Sequence, residues 1–217
     1  MRRIILLDID GTLVDSNDLH AESWHAALAQ YGIACDVARL RKLIGMGSDK
    51  LLPEATGVSA DSELGERITA TRGKLFMRDY MPRVRPLPGS RALVERILRH
   101  GLTPVVASSA SSLELESLLE AAQVKDLLPL RTGADDADRS KPDPDIVQAA
   151  LKRAHAKPED ALMIGDTPYD LEAARRAGVP FLAVRSGGWD DQSLRGAIAI
   201  YQDVSHLAAH FDEALAA

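Results

Sequence analysis

Residues 4–12 read Ile-Ile-Leu-Leu-Asp-Ile-Asp-Gly-Thr. A short apolar run that stops at a glycine is the pattern of a strand buried on both faces of a parallel sheet. It predicts a strand over Ile4–Ile9, stopped by Gly11, with two carboxylates at its carboxyl end. Side chains alternate along a strand, so Asp8 and Asp10 fall on one side and Ile9 on the other. In open α/β sheets that edge is where ligands bind.

Working outward, Leu102–Ala107, Ala161–Ile164 and Phe181–Val184 are further apolar runs, each followed by a polar or glycine turn. Helical patterns lie between them. Ser111-x-x-Glu114 is a capping box ahead of Leu115, Leu118, Leu119 and Ala122. Asp143-Pro144 reads as an N-cap followed by proline at the first helical position, with Val147, Ala150, Leu151 and Ala154 on one face. Thr167-Pro168 repeats that signal, and Gly178 supplies the stop. Strands alternating with helices imply an α/β fold with a Rossmann-like parallel sheet covered on both faces.

One section breaks the alternation. From Asp15 to Val84 the patterns are helical: Trp24, Ala27, Leu28 and Tyr31 form a stripe, and further segments cover Asp36–Ile44, Lys50–Ala55 and Asp61–Tyr80. Pro82–Pro88 holds three prolines and leads through Gly89 back to the alternating pattern. The expected organisation is an α/β core over 1–14 and 85–217, with a helical insert over 15–84.

Of the 217 residues, 46% are hydrophobic and 27% charged, and the formal charge is −6 with both signs dispersed. That composition argues against disorder, and the lack of a basic block argues against nucleic acid. Cys35 is the sole cysteine, so an intramolecular disulfide and a multi-cysteine metal site are both excluded. The run Ile4–Leu7 is too short for a signal peptide or a membrane span, so the expected location is the cytoplasm.

The polar residues after the strands carry the chemistry. Asp8 and Asp10 repel each other unless a cation or a shared proton intervenes, and magnesium, a hard ion, suits paired carboxylates. Gly11 turns the backbone tightly, so the N–H groups of Gly11 and Thr12 are candidate anion contacts. Ser108 and Ser109 follow a strand directly and offer hydroxyls to a phosphate. Lys141 offers a counter-charge, and Asp166 and Asp170 offer further metal ligands. Each alone has a plain structural explanation; Asp170, for instance, sits at the third helical position after Thr167, where an acid stabilises the helix anyway. His206 and His210 have metal-ligand spacing with no third ligand nearby, so a helix face explains them better. Gly187-Gly188-Trp189 reads equally as a structural turn or as the border of a site mouth.

Taken together, Asp8-x-Asp10-Gly-Thr-Leu-x-Asp-Ser, then Ser108, then Lys141-Pro142, then Gly165-Asp166-x-x-x-Asp170 resemble the four motifs of the haloacid dehalogenase superfamily. The section over 15–84 resembles that superfamily's helical-bundle cap. The resemblance implies that Asp8 is a nucleophile forming an aspartyl-phosphate and that Asp10 is the general acid/base. It implies that Ser108 and Lys141 hold the phosphoryl oxygens. Magnesium is implied on the carboxylates of Asp8 and Asp166 and the carbonyl of Asp10, with Asp170 as a neighbouring partner or weaker ligand.

Within the superfamily, Asp10 argues against dehalogenases, which lack the second aspartate, and against phosphonatases, which have a small residue there. Asp15-Ser16, His20 and Trp24 resemble the β-phosphoglucomutase pattern, but Ile44 and Ser48 stand where such mutases carry cationic grips on a distal phosphate. Gly165-Asp166-Thr167-x-x-Asp170 is more similar to phosphoglycolate-type phosphatases. The expectation is a phosphatase acting on a small phosphorylated metabolite, as a monomer or homodimer. Ser16, His20 and Lys50 are candidate substrate contacts from the helical section. The alternatives are a sugar-phosphate mutase or a binding module that has lost catalysis.

Overall fold

β1 (Ile4–Leu7) forms where the apolar run predicts, but it ends two residues early. Gly11 takes φ +75° and its N–H turns back to the Val14 carbonyl (2.8 Å), which pulls Ile9–Gly11 out of the ladder. Asp8 stays attached, its N–H donating to the Ile164 carbonyl at 3.0 Å. The structure is a computed structural model that describes residues 3–216. Met1, Arg2 and Ala217, the outer ends of the expected core, lie outside the described residues.

After β1 the chain forms β2 (Val14–Asp15), which pairs antiparallel with β3 (Arg85–Pro86). Sequence reading saw only a proline-rich linker near β3; the two-residue ribbon is too short to leave an alternation. Between these strands run α1 (Asn17–Gln30), α2 (Val37–Arg41), α3 (Ser48–Thr56) and α4 (Glu63–Leu75), the last continuing as a π-turn over Phe76–Tyr80. These helices bury Trp24, Leu28, Leu40, Leu51, Leu52 and Ile68 among themselves. Of the expected stripe, Trp24, Ala27 and Leu28 are buried and Tyr31 is half-buried.

The chain continues with α5 (Ser90–Arg99), β4 (Thr103–Ala107), α6 (Ser112–Ala121), β5 (Leu130–Thr132), α7 (Asp145–Arg153), β6 (Ala161–Gly165), α8 (Pro168–Arg176), β7 (Phe181–Val184), β8 (Ala199–Tyr201), α9 (Val204–Ala209) and α10 (Phe211–Ala216). Among the described residues, six strands make a parallel sheet in the order β5-β4-β1-β6-β7-β8. The order turns at β1, with β4 on one side and β6 on the other, so Asp8 and Asp10 emerge at a topological switch point.

Alternation sorts the two faces. Ile5, Leu7, Val106, Leu162, Ile164 and Leu182 pack against α5, α6, α9 and α10, whereas Leu6, Val105, Met163, Phe181 and Ala183 pack against α7 and α8. The doubly covered parallel sheet is thus the expected one.

Two local expectations need correction. The helix expected to be capped by Asp143 starts later: Pro144 is the N-cap and Asp145 the first helical residue. Asp143 is drawn off to Lys50 and Arg176, two cations a lone N-cap interaction does not outcompete. At Ser111 the hydroxyl does cap the Glu114 N–H, but the Glu114 carboxylate turns away to Arg72. By contrast, Thr167 and Asp170 form the reciprocal capping box, and α8 ends ahead of Gly178 at φ +73°.

Candidate active site

Asp8 leaves the end of β1, and Asp166 and Asp170 lie just beyond β6 and in the first turn of α8. One carboxylate oxygen from each lies within 4.8 Å of the others, and all three residues are buried. Lys141, itself 1% exposed, reaches them from the loop before α7: its Nζ is 2.6 Å from Asp8 Oδ1 and 2.7 Å from Asp170 Oδ1. Four residues spread over 163 positions of sequence thus converge at one sheet edge.

Three buried carboxylates share one ammonium, and their protonation responds. Burial, then repulsion from Asp170, pushes Asp8 up to about 7 against the pull of Lys141. Burial and the neighbouring Asp8 and Asp170 push Asp166 well above the ordinary carboxylate range. Burial opposes the charge on Lys141, but Asp170 and Asp8 outweigh it and hold the ammonium firmly protonated.

Asp166 is fixed from several sides. Thr12 Oγ1 donates to its Oδ1 and Asn17 Nδ2 to its Oδ2, both at 3.0 Å. Two glycines make room for it: a Cβ on Gly11 would lie 2.2 Å, and one on Gly187 1.8 Å, from Asp166 Oδ2. Ser186 closes the ring by donating to the Gly11 carbonyl (2.7 Å). Gly187 thus packs behind Asp166, in a short turn over Arg185–Gly187, and does not line the cavity mouth.

Asp10 faces a different environment. Its carboxylate turns away from the other three, toward Ser16 and α1: Ser16 Oγ donates to Oδ1 at 2.5 Å and His20 Nε2 lies 2.7 Å from the same oxygen. Arg72, from α4, donates to His20 Nδ1 and pairs with Glu114 of α6 at 2.7 Å. An acceptor at Nδ1 places the His20 proton on Nε2, pointing at Asp10. Phe76 stacks on the imidazole at 4.1 Å, and Arg72 lies over that ring and over Trp24. Burial opposes the Asp10 charge, but His20, its hydrogen bond, the Ser16 hydroxyl and Arg72 prevail and hold Asp10 below the usual carboxylate range.

A cavity of about 480 Å³ opens over Asp8 and Asp10 between the helical section and the sheet edge. His20, Trp24, Ile44, Ser48, Arg72 and Arg139 line it, as does Ser109. Ser108 is buried at the end of β4, where its Oγ accepts from the Ala110 N–H (3.1 Å), and Ser109 Oγ donates to the Gly45 carbonyl (3.3 Å). Lys50 is not brought to the cavity wall. Its ammonium is taken by Asp143 and by the Ser140 carbonyl (2.8 Å). Arg72 and Glu114 were missed by sequence reading. A signal exists in α4, where Ile68, Arg72 and Phe76 are spaced i, i+4, i+8 and the two outer residues are fully buried. His206, exposed, and His210, half-buried, meet edge to face, far along the chain from the site, with His210 Nδ1 bonded to the His206 carbonyl.

The acid cluster fits a hard divalent cation. Fully ionised, its three carboxylates exceed the charge of Lys141 by two, which a divalent cation would balance, and the Oδ1 of buried Asn17, beside Asp166, has no hydrogen-bond partner. Asp8, Asp166 and Asp170 are the carboxylates able to hold such an ion. The Asp10 carboxylate is not in that cluster.

Comparison with known proteins agrees with this geometry. Residues 5–184 match the family model described as haloacid dehalogenase-like hydrolase. The chain is 29% identical to a phosphoglycolate phosphatase of Rhodospirillum rubrum, over 95% of this chain and 90% of the relative. It is 25% identical to a validoxylamine A 7'-phosphate phosphatase of Streptomyces hygroscopicus, over 95% and 96%. Among solved structures, a hydrolase from Pseudomonas syringae aligns with a TM-score of 0.90 at 29% identity, over 98% of this chain and 99% of that one. A putative beta-phosphoglucomutase from Bacteroides vulgatus aligns at 0.86 and 25%, over 99% and 89%. With the motif residues gathered at one sheet edge and the family model spanning most of the chain, this protein belongs to the haloacid dehalogenase-like hydrolases.

Proposed function

We propose that this protein is a magnesium-dependent phosphatase that hydrolyses a small phosphorylated metabolite through an aspartyl-phosphate on Asp8. The observation that carries the reading is the contrast between two aspartates one residue apart. Asp8 is gripped by Lys141 beside two further carboxylates, while Asp10 is turned to a hydrogen-bonded Ser16 and His20 at the cavity wall.

Asp8 Oδ1 is held by Lys141, and Oδ2 takes a long contact from Thr12 Oγ1 at 3.5 Å, so Oδ2 is the oxygen suited to attack phosphorus. Asp10, charged in the free site, takes up a proton when the negative phosphoryl group binds beside it and delivers that proton to the departing alcohol oxygen as the phosphorus–oxygen ester bond breaks. Asp10 then takes a proton from a water that attacks the phosphorus of the acyl phosphate. Inorganic phosphate leaves and the Asp8 carboxylate is restored. Lys141 and the Ser108 hydroxyl would hold phosphoryl oxygens; the N–H groups of Gly11 and Thr12, expected from the sequence to serve as anion contacts, are instead donated to the carbonyls of Val14 (2.8 Å) and Ile9 (3.2 Å) and are not free for that task. Magnesium bound by Asp8, Asp166 and Asp170, with the Asp10 carbonyl, would neutralise the charge that gathers on the phosphoryl group. The helices over 15–84 act as a cap that covers the reaction and supplies the contacts to Asp10.

Phosphatase is favoured over mutase by the state of the cavity's cations. A mutase must hold a second phosphate away from Asp8, and Ile44 and Ser48 are neutral; of the cationic residues that line the cavity, Arg72 is engaged by Glu114 and Arg139 is an exposed side chain 3.9 Å from Asp143, not a buried grip. The expected substrate is therefore a monophosphate, met in the cytoplasm by a monomer or homodimer. The test follows β-glucose 1-phosphate and an aryl phosphate by phosphorus NMR with magnesium, with and without glucose 1,6-bisphosphate. Inorganic phosphate without any need for the bisphosphate is expected. Rapid glucose 6-phosphate formation with negligible phosphate release would reverse the assignment to mutase, and no turnover of either compound would count against catalysis.

A further inference from the structure

Ser140 stands immediately before Lys141, and each of its polar groups meets the helical section some ninety positions earlier in the chain. Gly47 N–H donates to Ser140 Oγ at 2.9 Å, Ser140 N–H donates to Asp49 Oδ2 at 3.1 Å, and Lys50 Nζ donates to the Ser140 carbonyl at 2.8 Å. The same ammonium pairs with Asp143, two residues beyond Lys141. The approach is close: a Cβ on Gly47 would lie 2.6 Å from Ser140 Cβ. Gly45, two residues earlier, meets the next loops along the sheet edge, its carbonyl accepting from Ser109 Oγ and a Cβ there lying 2.9 Å from Thr167 Oγ1.

From the opposite side the core holds the same loop. Lys141 reaches Asp8 and Asp170, and Arg176 donates to Asp143 Oδ1 at 2.9 Å. The short loop 140–143 is therefore clamped between the helical section and α8. A lysine side chain is long and flexible, so where its ammonium can stand depends on how firmly its backbone is held. We propose that Gly47, Asp49 and Lys50 form a strap of positioning residues which, through Ser140 and Asp143, sets Lys141 against Asp8, so that the phosphoryl grip is complete only when the helical section is docked. The proposal rests on the phosphatase reading above. It also gives Lys50 a task other than touching substrate.

Lys50→Met in the full-length chain tests it, because methionine keeps the apolar stem and removes both ammonium contacts. Amide exchange in the peptide spanning 138–144 should quicken. The kcat for an aryl phosphate should fall about tenfold, since misplacement of a catalytic group by an ångström is enough to cost that much, with KM changed less than twofold. Lys50→Arg, which still spans Asp143 and the Ser140 carbonyl, should restore most of both. Unchanged exchange in Lys50→Met overturns the strap whatever the activity. Faster exchange with wild-type kcat overturns its link to Lys141. If the wild type releases no phosphate at all, the phosphatase reading fails separately, and the strap is judged by binding of inorganic phosphate with magnesium. Phosphate must then protect 138–144 in the wild type and not in Lys50→Met; no difference between the two overturns the strap.

Discussion

Asp8→Asn should abolish activity and, in metal-free protein at neutral pH, make the fold more stable. The gain comes from proton linkage. Burial and Asp170 push Asp8 from its ordinary 3.8 up to about 7 in the folded state. Below 3.8 both folded and unfolded chains carry the proton. Between 3.8 and 7 the unfolded chain has lost it while the folded chain still holds it, so stability falls as pH rises, and above 7 the loss is complete. A rise of roughly three pH units at 1.36 kcal/mol each amounts to about 4 kcal/mol at pH 8. Asparagine is neutral and nearly isosteric, so it escapes that penalty. Its amide accepts from Lys141 without offering charge, which trims the gain to about 2–4 kcal/mol, or a rise of roughly 4–16 °C in melting temperature for a chain of this size. The advantage should widen by roughly 2–3 kcal/mol between pH 5 and pH 8. The assay is thermal unfolding of wild type and variant in excess chelator across that range, with mass spectrometry to exclude deamidation and phosphate release to follow activity. A variant that melts below the wild type at pH 8, or a gap that does not change with pH, would refute the account of Asp8. Magnesium should close the gap by restoring the wild type.

Three further outcomes follow from the same cluster. Chelation should abolish activity, with magnesium restoring it and calcium inhibiting, since calcium's looser coordination lets it take both oxygens of Asp8. Because the ion must displace protons from Asp8 and Asp166, both held above their usual range, its affinity should weaken as pH drops below about 7, with proton release visible by calorimetry in buffers of different ionisation heat; an affinity flat from pH 6 to 8 would contradict this. Gly187→Ala, whose Cβ would stand 1.8 Å from Asp166 Oδ2, should displace that carboxylate and weaken metal binding about 10–100-fold, measured by titration of the variant, whereas unaltered binding would mean the loop yields freely.

Much of the core was legible because its central strands are apolar runs with nothing else to become: Ile4–Leu7, residues 104–107 of β4 and Phe181–Val184 are buried throughout. β5 and β8 escaped notice because they are edge strands. Leu-Arg-Thr and Ala-Ile-Tyr are short and mostly half-buried, and an edge strand need not be apolar on both faces. The acid cluster was legible because each member follows a strand, so topology alone brings Asp8, Lys141, Asp166 and Asp170 to one edge. Arg72 and Glu114 were not, because their meeting depends on how α4 lies over α6, and a capping box gave Glu114 a sufficient local explanation. Lys50 was read as a candidate substrate contact; whether its charge is available is decided by Asp143, ninety-three positions away.

The ribbon of β2 and β3 sets Asp15 opposite Arg85, so the chain departs from the sheet and returns to it through a single doorway. To the sheet, everything between is a loop whose ends already touch, and the length of such a loop matters little: each doubling adds only about 0.6 kcal/mol of closure entropy. Helices there can be lengthened, rebuilt or exchanged without disturbing the register of any sheet strand. The two aspartates of the first turn then have separate ancestries of support. The carboxylates and the lysine around Asp8 are inherited with the sheet, whereas Ser16, His20 and Arg72, which hold Asp10, travel with the exchangeable helices, together with Asn17 on Asp166 and the strap on the loop of Lys141. A descendant that acquires new helices keeps its nucleophile in place and must rediscover how to steady its acid.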